Sequence, residues 1–232
     1  MRHVLLTRFC VRFAEDNPRR RYERADWIDY RMHLFKKYAL PSVQNQTFKT
    51  FDWWFLVNPN FPGLTKNHIA ELEKYGRICN IESYWNEAQP EVGDRLKLWY
   101  KNEWMCSTRL DSDDMLHADF MAHLNRTVGE REEFVTLKYG YVISGDKAAK
   151  REYTVNPFLS YVEYANPFKS VFHVDHCRAN KSKIPFRADP LVGWAQVCHG
   201  DNIKNVAELK VKNFHEICFD ASQLKGFPIE KP

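Results

Sequence analysis

The chain has 232 residues, a formal net charge of +4 and 44% hydrophobic residues, which is enough for one sizeable domain with a substantial core. Charged residues make up 28% of the sequence and no apolar run of about 18 residues occurs, so the composition argues against a membrane-spanning helix. The first residues lack the apolar stretch and the cleavage site of a secretory signal, and we therefore expect a cytoplasmic protein.

The mild basicity by itself neither indicates nor excludes nucleic-acid binding. Three consecutive arginines, Arg19–Arg21, are followed by Arg24 and form a local basic cluster. That cluster is compatible with contact to phosphate and equally with a solvated helix start. The six cysteines lack the short spacings of metal knuckles and redox pairs, so we expect buried thiols.

Strands and helices alternate in the first half of the sequence. The predicted order is a strand at 4–9, a helix at about 25–40, a turn at 41–47, a strand at 51–57, a helix at 65–75, a strand at 77–81, a helix at about 92–103 and a strand at 104–110. Short strands that alternate with helices predict a parallel sheet with right-handed crossovers.

The pattern changes after a predicted helix at 117–127. Residues 133–138 and 139–143 are typical of two antiparallel strands, with a turn at 144–146 and a returning strand at 151–155. We therefore expect a single α/β domain over residues 1–232. It would combine a Rossmann-type, mostly parallel sheet flanked by helices in residues 1–115 with a mixed, antiparallel half in residues 116–232.

Three carboxylates crowd the segment that follows the strand at 104–110. Asp111, Asp113 and Asp114 lie within four residues and would raise one another's pKa values unless a cation neutralised them. A divalent ion held by oxygen ligands could do so and could also grip a substrate diphosphate. The alternative is structural: Asp111 caps the next helix, and the other two aspartates lie in its first turn.

A second polar feature ends the apolar run that begins at Trp194. His199 closes this run and is followed by Gly200, Asp201 and Asn202. A histidine in this position can be a metal ligand supplied from a distant segment, although a lone histidine is more often held by a hydrogen bond alone.

Other catalytic patterns are absent or weak in the sequence. His173 and His176 flank Asp175, but no suitably spaced third ligand supports a dedicated zinc site. The sequence contains no glycine-rich phosphate loop and no Gly-x-Ser-x-Gly elbow, which argues against the nucleotide-binding motifs of kinases and dehydrogenases and against a serine hydrolase.

Taken in order, these segments resemble GT-A-fold glycosyltransferases and, more narrowly, the rhamnosyltransferase family. The resemblance covers about residues 4–205 and is carried by the segments 6–9, 40–47, 51–57, 108–114, 156–158 and 194–202, together with Glu163 and His176. It implies a GT-A-like fold in which residues 1–115 bind a nucleotide sugar and residues 116–232 face the acceptor. The segment 108–114 resembles the metal-binding Asp-x-Asp motif of such enzymes.

The resemblance also implies a metal site for Mn²⁺ or Mg²⁺. Asp113 would bind the ion directly, and His199 would be the ligand from the C-terminal half. Asp111 would reach the ion through water or contact the ribose or sugar of the donor. Thr7 and Arg8, at the end of the first strand, would lie against the nucleotide.

The remaining roles are less well matched. Arg109 could neutralise the diphosphate or pair with a neighbouring aspartate. Asn58 stands where such enzymes commonly carry an aspartate, so the resemblance leaves the nucleotide undefined. An inverting enzyme needs a carboxylate base, for which Glu163 is the first choice and Asp175 and Asp189 follow. A retaining enzyme would need no such base.

Three functions follow from these observations. The first is metal-dependent sugar transfer from a nucleotide-sugar donor to a hydroxyl group of a polysaccharide or lipopolysaccharide precursor. Because such an acceptor can be linked to a lipid, this function is compatible with peripheral contact between the protein and a membrane. The second is sugar transfer to hydroxymethylated DNA bases, as in some phage enzymes, which would show steep salt dependence. The third is a nucleotide-sugar-binding module without transfer, or a nucleotidyltransferase.

Overall fold

The computed structural model describes residues 1–14, 24–85, 88–145, 147–199, 219–220 and 224–229. Within this part of the chain, ten strands form one mixed sheet whose main path has the order β10-β7-β6-β8-β4-β1-β2-β3. The strands are β1 (Arg2–Cys10), β2 (Asp52–Val57), β3 (Arg77–Asn80), β4 (Trp104–Asp111), β5 (Met115–Leu116), β6 (Glu133–Ser144), β7 (Lys147–Glu152), β8 (Ser160–Tyr164), β9 (Phe186–Cys198) and β10 (Phe219–Asp220).

The first four strands are parallel, as the sequence predicts. β1 lies at the centre of this half, between β2 and β4, and β3 forms the edge beside β2. In the run over β2, the side chains of Trp53, Phe55 and Val57 enter one core cluster, and those of Trp54 and Leu56 enter the other. A continuous apolar run is therefore explained by a strand that is buried on both faces.

Helices cover the two faces of the sheet. They are α1 (Trp27–Leu34), α2 (Leu40–Gln44), α3 (Lys66–Glu73), α4 (Ala88–Leu96) and α5 (Phe120–Thr127), with a π-helical segment, Phe35–Ala39, between α1 and α2. The predicted turn at 41–47 is wrong in its first part, because Pro41 lies in the first turn of α2 and the helix continues to Gln44. A proline is tolerated there because its missing N–H is not needed by the first turn of a helix.

The helix predicted at about 92–103 lies earlier in the chain. α4 ends at Leu96, and Asn102 adopts a left-handed backbone conformation with φ of 54°. A left-handed residue cannot continue a right-handed helix, so the chain turns here before β4 begins.

The second half of the sheet is antiparallel or mixed. β8 runs antiparallel to both β4 and β6, whereas β9 runs parallel to β6 and antiparallel to the short strand β5. The two strands predicted at 133–138 and 139–143 are one strand, β6. Gly140 lies within β6, and the Trp194 ring packs against it so closely that an added Cβ would lie 2.1 Å from the ring. The glycine therefore marks a close approach and not a turn.

The described helices are all short. In the part of the chain that the structure covers, no helix combines the length and apolar character needed to cross a membrane.

Candidate active site

The acidic turn lies where the parallel strands end. Asp111 is the last residue of β4, and its register partner Arg8 lies near the end of β1. The chain then turns, with the backbone N–H of Asp114 donating to the carbonyl oxygen of Asp111 over 3.2 Å, and enters β5. Ligands of open parallel sheets bind at this edge, so the turn is in the expected place for a ligand site.

Two arginines hold the Asp111 carboxylate. Arg8 Nη2 lies 3.2 Å from Asp111 Oδ1, and Arg109 Nη2 lies 2.8 Å from Asp111 Oδ2. Burial opposes ionisation, but the guanidinium groups of Arg109 and Arg8 outweigh it and hold the pKa of Asp111 well below its usual value. Trp85 and Phe172 lie against these arginines, with centroid distances of 5.3 Å to Arg8 and 5.9 Å to Arg109. Asp111 is therefore ionised at neutral pH.

Asp113 brings together two distant parts of the chain. Its Oδ2 lies 2.8 Å from Nε2 of His199, 86 residues away in sequence, and 2.9 Å from Nη1 of Arg31. Arg31 also donates to the hydroxyl of Ser112. Burial opposes ionisation of Asp113, but Arg31 and His199 lower its pKa. The expected partnership of Asp113 and His199 is thus present as a short contact.

Asp114 links the acidic turn to strand β9. Its Oδ1 accepts a hydrogen bond of 2.9 Å from the backbone N–H of Val197 in β9. Burial and the neighbouring carboxylates raise the pKa of Asp114 well above its usual value. Because Val197 lies two residues before His199, this bond fixes the end of β9 beside the acidic turn.

The alternative in which the aspartates cap a helix is wrong. The next helix, α5, begins at Phe120, and Asp119 is its N-cap residue. The acidic turn is followed directly by strand β5, so Asp111, Asp113 and Asp114 all lie outside the first turn of α5.

Arginines provide the positive charge that the crowded carboxylates need. Three aspartates in the turn are matched in formal charge by three arginines that contact or face them: Arg8, Arg31 and Arg109. The crowding of the carboxylates therefore does not by itself require a metal ion. Whether the turn can hold a divalent ion depends on its ligand atoms.

The ligand atoms of Asp113 and His199 fit a divalent ion. One carboxylate oxygen and one imidazole nitrogen lie 2.8 Å apart, which suits a hydrogen bond and also two neighbouring ligands of one ion, since octahedral ligands at about 2.1 Å from the metal lie about 3 Å apart. Carboxylate oxygen favours Mg²⁺ and Mn²⁺, and an added imidazole shifts the preference from Mg²⁺ towards transition metals. This donor set therefore fits Mn²⁺ well.

A second chain of contacts extends from Arg109 to Asp175. Arg109 Nη1 lies 2.9 Å from His176 Nδ1, which also lies 3.2 Å from Asp175 Oδ1. Burial and the Arg109 guanidinium lower the pKa of His176, so the imidazole is neutral and its Nδ1 accepts a hydrogen bond from Arg109. One ligand-type atom each from Asp175, His176 and Cys177 lies within 4.8 Å of the others. Asp175 and Cys177 in this group are exposed, and exposed acidic groups commonly occur without an ion.

Of the three candidate bases, only Asp175 lies beside the acidic turn. Glu163 is opposite Met105 in the β8–β4 pairing, six residues before Asp111, which corresponds to about 20 Å along the strand. Asp189 pairs with Leu137 near the start of β9 and contacts His123 and Arg187. The structure therefore does not bring Glu163 or Asp189 to this site.

Glu163 has a structural role. Its two carboxylate oxygens accept hydrogen bonds of 2.8 Å each from the backbone N–H groups of Lys169 and Ser170. Burial raises the pKa of Glu163 to about 7, although these two donors favour the ionised form. The side chain thus closes the loop that follows β8.

The variant Glu163→Gln separates this structural role from catalysis. The amide presents an N–H to one of the two backbone donors, so we expect a loss of about 1–3 kcal/mol in the free energy of unfolding. Sugar transfer, the activity that the sequence resemblance implies, should be unchanged at a temperature where the variant is folded. Chemical denaturation and a transfer assay measure the two effects. A loss of transfer by more than about tenfold in folded protein would return Glu163 to the list of candidate bases.

The predicted donor-binding residues differ in their surroundings. Thr7 is buried, and its hydroxyl accepts a hydrogen bond of 2.9 Å from Trp53 Nε1. Asn58 follows β2 as expected, but its side chain donates to the carbonyl oxygen of Glu82 and accepts from the backbone N–H of Asn60. These two side chains are therefore committed to the scaffold, whereas Arg8 and Arg109 reach the acidic turn.

The sequence did not reveal two further members of the site. Arg31 and Tyr30 lie on α1 and contact Asp113 and His199, respectively. The spacing of Trp27, Tyr30 and Arg31 predicts that they share one face of a helix, but it does not indicate that this face contacts the acidic turn. The arginine cluster Arg19–Arg21 and the segment 200–202 lie outside the described residues.

Comparison with known proteins agrees with this architecture. The family model described as "Putative rhamnosyl transferase" matches residues 4–202. The fold is similar to that of S. aureus TarS 1–349, with a TM-score of 0.53 and 11% identity over 85% of this chain and 60% of that chain. The same TarS fragment in complex with UDP gives a TM-score of 0.52 and 11% identity over 85% of this chain and 61% of that chain. The longer TarS chain gives a TM-score of 0.52 and 12% identity over 85% of this chain and 37% of that chain.

These likenesses show the fold, which is GT-A-like, as the sequence resemblance implies. The chain spans less than two thirds of each of these TarS chains. The sequence matches no curated protein at a significant level.

Proposed function

This chain belongs to the rhamnosyl transferase family, and on that premise we propose that it transfers a sugar from a nucleotide-sugar donor to an acceptor hydroxyl with the help of Mn²⁺ or Mg²⁺. The observation that carries the proposal is the contact of 2.8 Å between Asp113 Oδ2 and His199 Nε2 at the carboxyl edge of the parallel strands. The acceptor is a glycan or a lipid-linked precursor.

Asp113 and His199 would hold the ion. An ion bound by them would supply positive charge to the leaving diphosphate. Arg31 keeps the Asp113 carboxylate ionised and in place, and Asp114 fixes the strand end that carries His199. Both ligands are thereby oriented by neighbours and do not depend on the ion for their position.

Arg8 and Arg109 bind the phosphates of the donor. Both contact Asp111 from the same edge of the sheet, and guanidinium groups match phosphate as well as carboxylate geometry. When the diphosphate engages these arginines, the Asp111 carboxylate can accept a hydrogen bond from a donor hydroxyl. A nucleoside diphosphate sugar fits this arrangement, and TarS in complex with UDP and with UDP-GlcNAc supports this donor class.

Asp175 is the base in this proposal. Its side chain is 56% exposed, so an acceptor hydroxyl can approach it, and it joins the donor site through His176 and Arg109. In an inverting transfer the Asp175 carboxylate takes the proton of the acceptor hydroxyl as the oxygen attacks the sugar carbon. The bond between that carbon and the diphosphate oxygen breaks at the same time.

A donor screen tests the proposal. The chain is incubated with Mn²⁺ and a panel of nucleotide sugars, and mass spectrometry follows the release of nucleoside diphosphate from each donor. We expect release from one donor class and none with His199→Ala, a variant that removes one ligand without leaving a buried charge unpaired. Binding of a donor without any release, with or without acceptor glycans, would favour a binding module. Release by His199→Ala at the rate of the unchanged chain would remove this residue from the site.

A further inference from the structure

Helix α1 presents one face to the acidic turn. Trp27, Tyr30 and Arg31 are spaced by three and four residues, so their side chains lie on the same side of the helix. Trp27 contacts both of the others, with a ring centroid 5.7 Å from that of Tyr30 and 5.4 Å from the Arg31 guanidinium. These three side chains therefore form one packed group, which we call the α1 face.

Each polar member of the α1 face contacts one of the two metal ligands. Arg31 reaches both carboxylate oxygens of Asp113, over 3.3 Å to Oδ1 and 2.9 Å to Oδ2, and also donates to Ser112. The Tyr30 hydroxyl lies 3.1 Å from His199 Nδ1, and the two rings meet edge to face with centroids 5.5 Å apart. Adjacent residues of one helix thus contact ligands that are 86 positions apart.

The Tyr30 hydroxyl can hydrogen-bond His199 both when a metal ion is bound and when it is absent. With no ion bound, His199 can donate from Nε2 to Asp113 while Nδ1 accepts from the hydroxyl. With an ion on Nε2, the proton must lie on Nδ1, and the hydroxyl oxygen can accept a hydrogen bond from this N–H group. A phenolic hydroxyl is both donor and acceptor, so it can satisfy either tautomer of the imidazole.

Helix α1 is itself held firmly. Ile28 and Met32 are buried in the core beneath it, and Asp29 on its outer side lies 3.0 Å from His68 Nε2 of α3. A partner group on an anchored helix orients a ligand better than one on a loop, because its own position is already determined by packing.

We propose that the α1 face is the orienting element of the metal site, with Tyr30 and Arg31 as positioning residues for His199 and Asp113. This inference rests on the proposed function, because it concerns the same two ligands. It assigns a metal-affinity role to a helix that contributes no ligand itself. Such outer partners typically change metal affinity by about 10- to 100-fold.

Manganese binding tests the role of Tyr30 without an activity assay. The free Mn²⁺ signal in electron paramagnetic resonance is titrated against the chain with UDP present. We expect Tyr30→Phe to weaken Mn²⁺ binding by about tenfold or more, with an unchanged circular dichroism spectrum. The matched control is Tyr164→Phe, because Tyr164 is 46% exposed on β8 and lies outside the site. The control should bind Mn²⁺ as the unchanged chain does.

Arg31→Lys gives a second, independent variant. Lysine keeps the positive charge but lacks the planar fork that contacts Asp113 and Ser112 together, so we expect Mn²⁺ binding to weaken by about tenfold here as well. If the unchanged chain binds Mn²⁺ and both variants match it, the role of the α1 face is overturned while the metal site stands. If the unchanged chain shows no saturable Mn²⁺ binding, the metal of the proposed function is overturned together with the role of α1.

Discussion

Replacing Asp113 with asparagine is expected to lower kcat/KM for sugar transfer by about three orders of magnitude. Asparagine keeps the shape of the side chain but removes the charge that holds a divalent ion beside His199. An ion that stabilises a leaving group is worth several kcal/mol, and each 1.4 kcal/mol corresponds to about a factor of ten in rate. The measurement is donor turnover at saturating Mn²⁺, made below the melting temperature of the variant.

The matched control is Asp94→Asn. Asp94 lies on α4, is 63% exposed and pairs only at the surface with Lys97. This variant should retain transfer within about twofold, since exposed ion pairs contribute little. Asp113→Asn at more than about a tenth of the unchanged rate, in folded protein, would reduce Asp113 to a structural partner of Arg31.

Removing Arg31 is expected to have the largest effect on stability. Both partners of the pair with Asp113 have side chains only 10% exposed, so Arg31→Met leaves a buried carboxylate without its guanidinium. Breaking a buried pair from one side typically costs about 3–5 kcal/mol. The ionised Asp111 lies close by and adds to the repulsion. Urea denaturation of Arg31→Met measures the loss.

A double variant distinguishes the ion pair between Arg31 and Asp113 from the packing of Arg31 on Trp27 as the source of this stability. In Arg31→Met with Asp113→Leu no charge of this pair remains, and we expect most of the lost stability to return, because a buried ion pair can often be replaced by apolar side chains. The double variant should still show no transfer, since it lacks the metal ligand. If it is less stable than Arg31→Met, the pair is not the reason for the loss, and the packing of Arg31 on Trp27 is.

The central part of the fold could be predicted from local patterns. The aromatic run over β2 predicts a strand that is buried on both faces, and Trp53 and Trp54 do point into different core clusters. The end of β4 at the acidic turn could be predicted in the same way, because the apolar residues Trp104, Met105 and Cys106 at its start predict a buried strand. Local periodicity is enough where neighbouring residues share one environment.

The position of a base could not be predicted, because it depends on strand pairing. Glu163 and Asp189 were reasonable candidates by residue type, but β8 runs antiparallel to β4 and carries Glu163 towards the far end of that strand. Asp175 reaches the site through the short helical segment that it caps. Nothing in the spacing of these three acids distinguishes their places in the fold.

The arginine partners of the acidic turn could not be predicted either. Arg31 lies 82 residues before Asp113, on a helix whose polar residues have no distinguishing period. The expectation that a cation would neutralise the carboxylates was sound, but three guanidinium groups already do much of this. A long-range charge balance of this kind appears only once the helix has been packed on the sheet.

The most direct test of the account is the metal dependence of donor turnover. The chain is treated with a chelator, exchanged into metal-free buffer, and assayed by mass spectrometry with the nucleotide sugar found in the donor screen, before and after Mn²⁺ is added. Release of nucleoside diphosphate is expected to be lost on chelation and to recover with Mn²⁺ in the unchanged chain, but not in Asp113→Asn. Full turnover in the presence of the chelator would contradict this expectation, because Asp113 and His199 would then have no ion to hold.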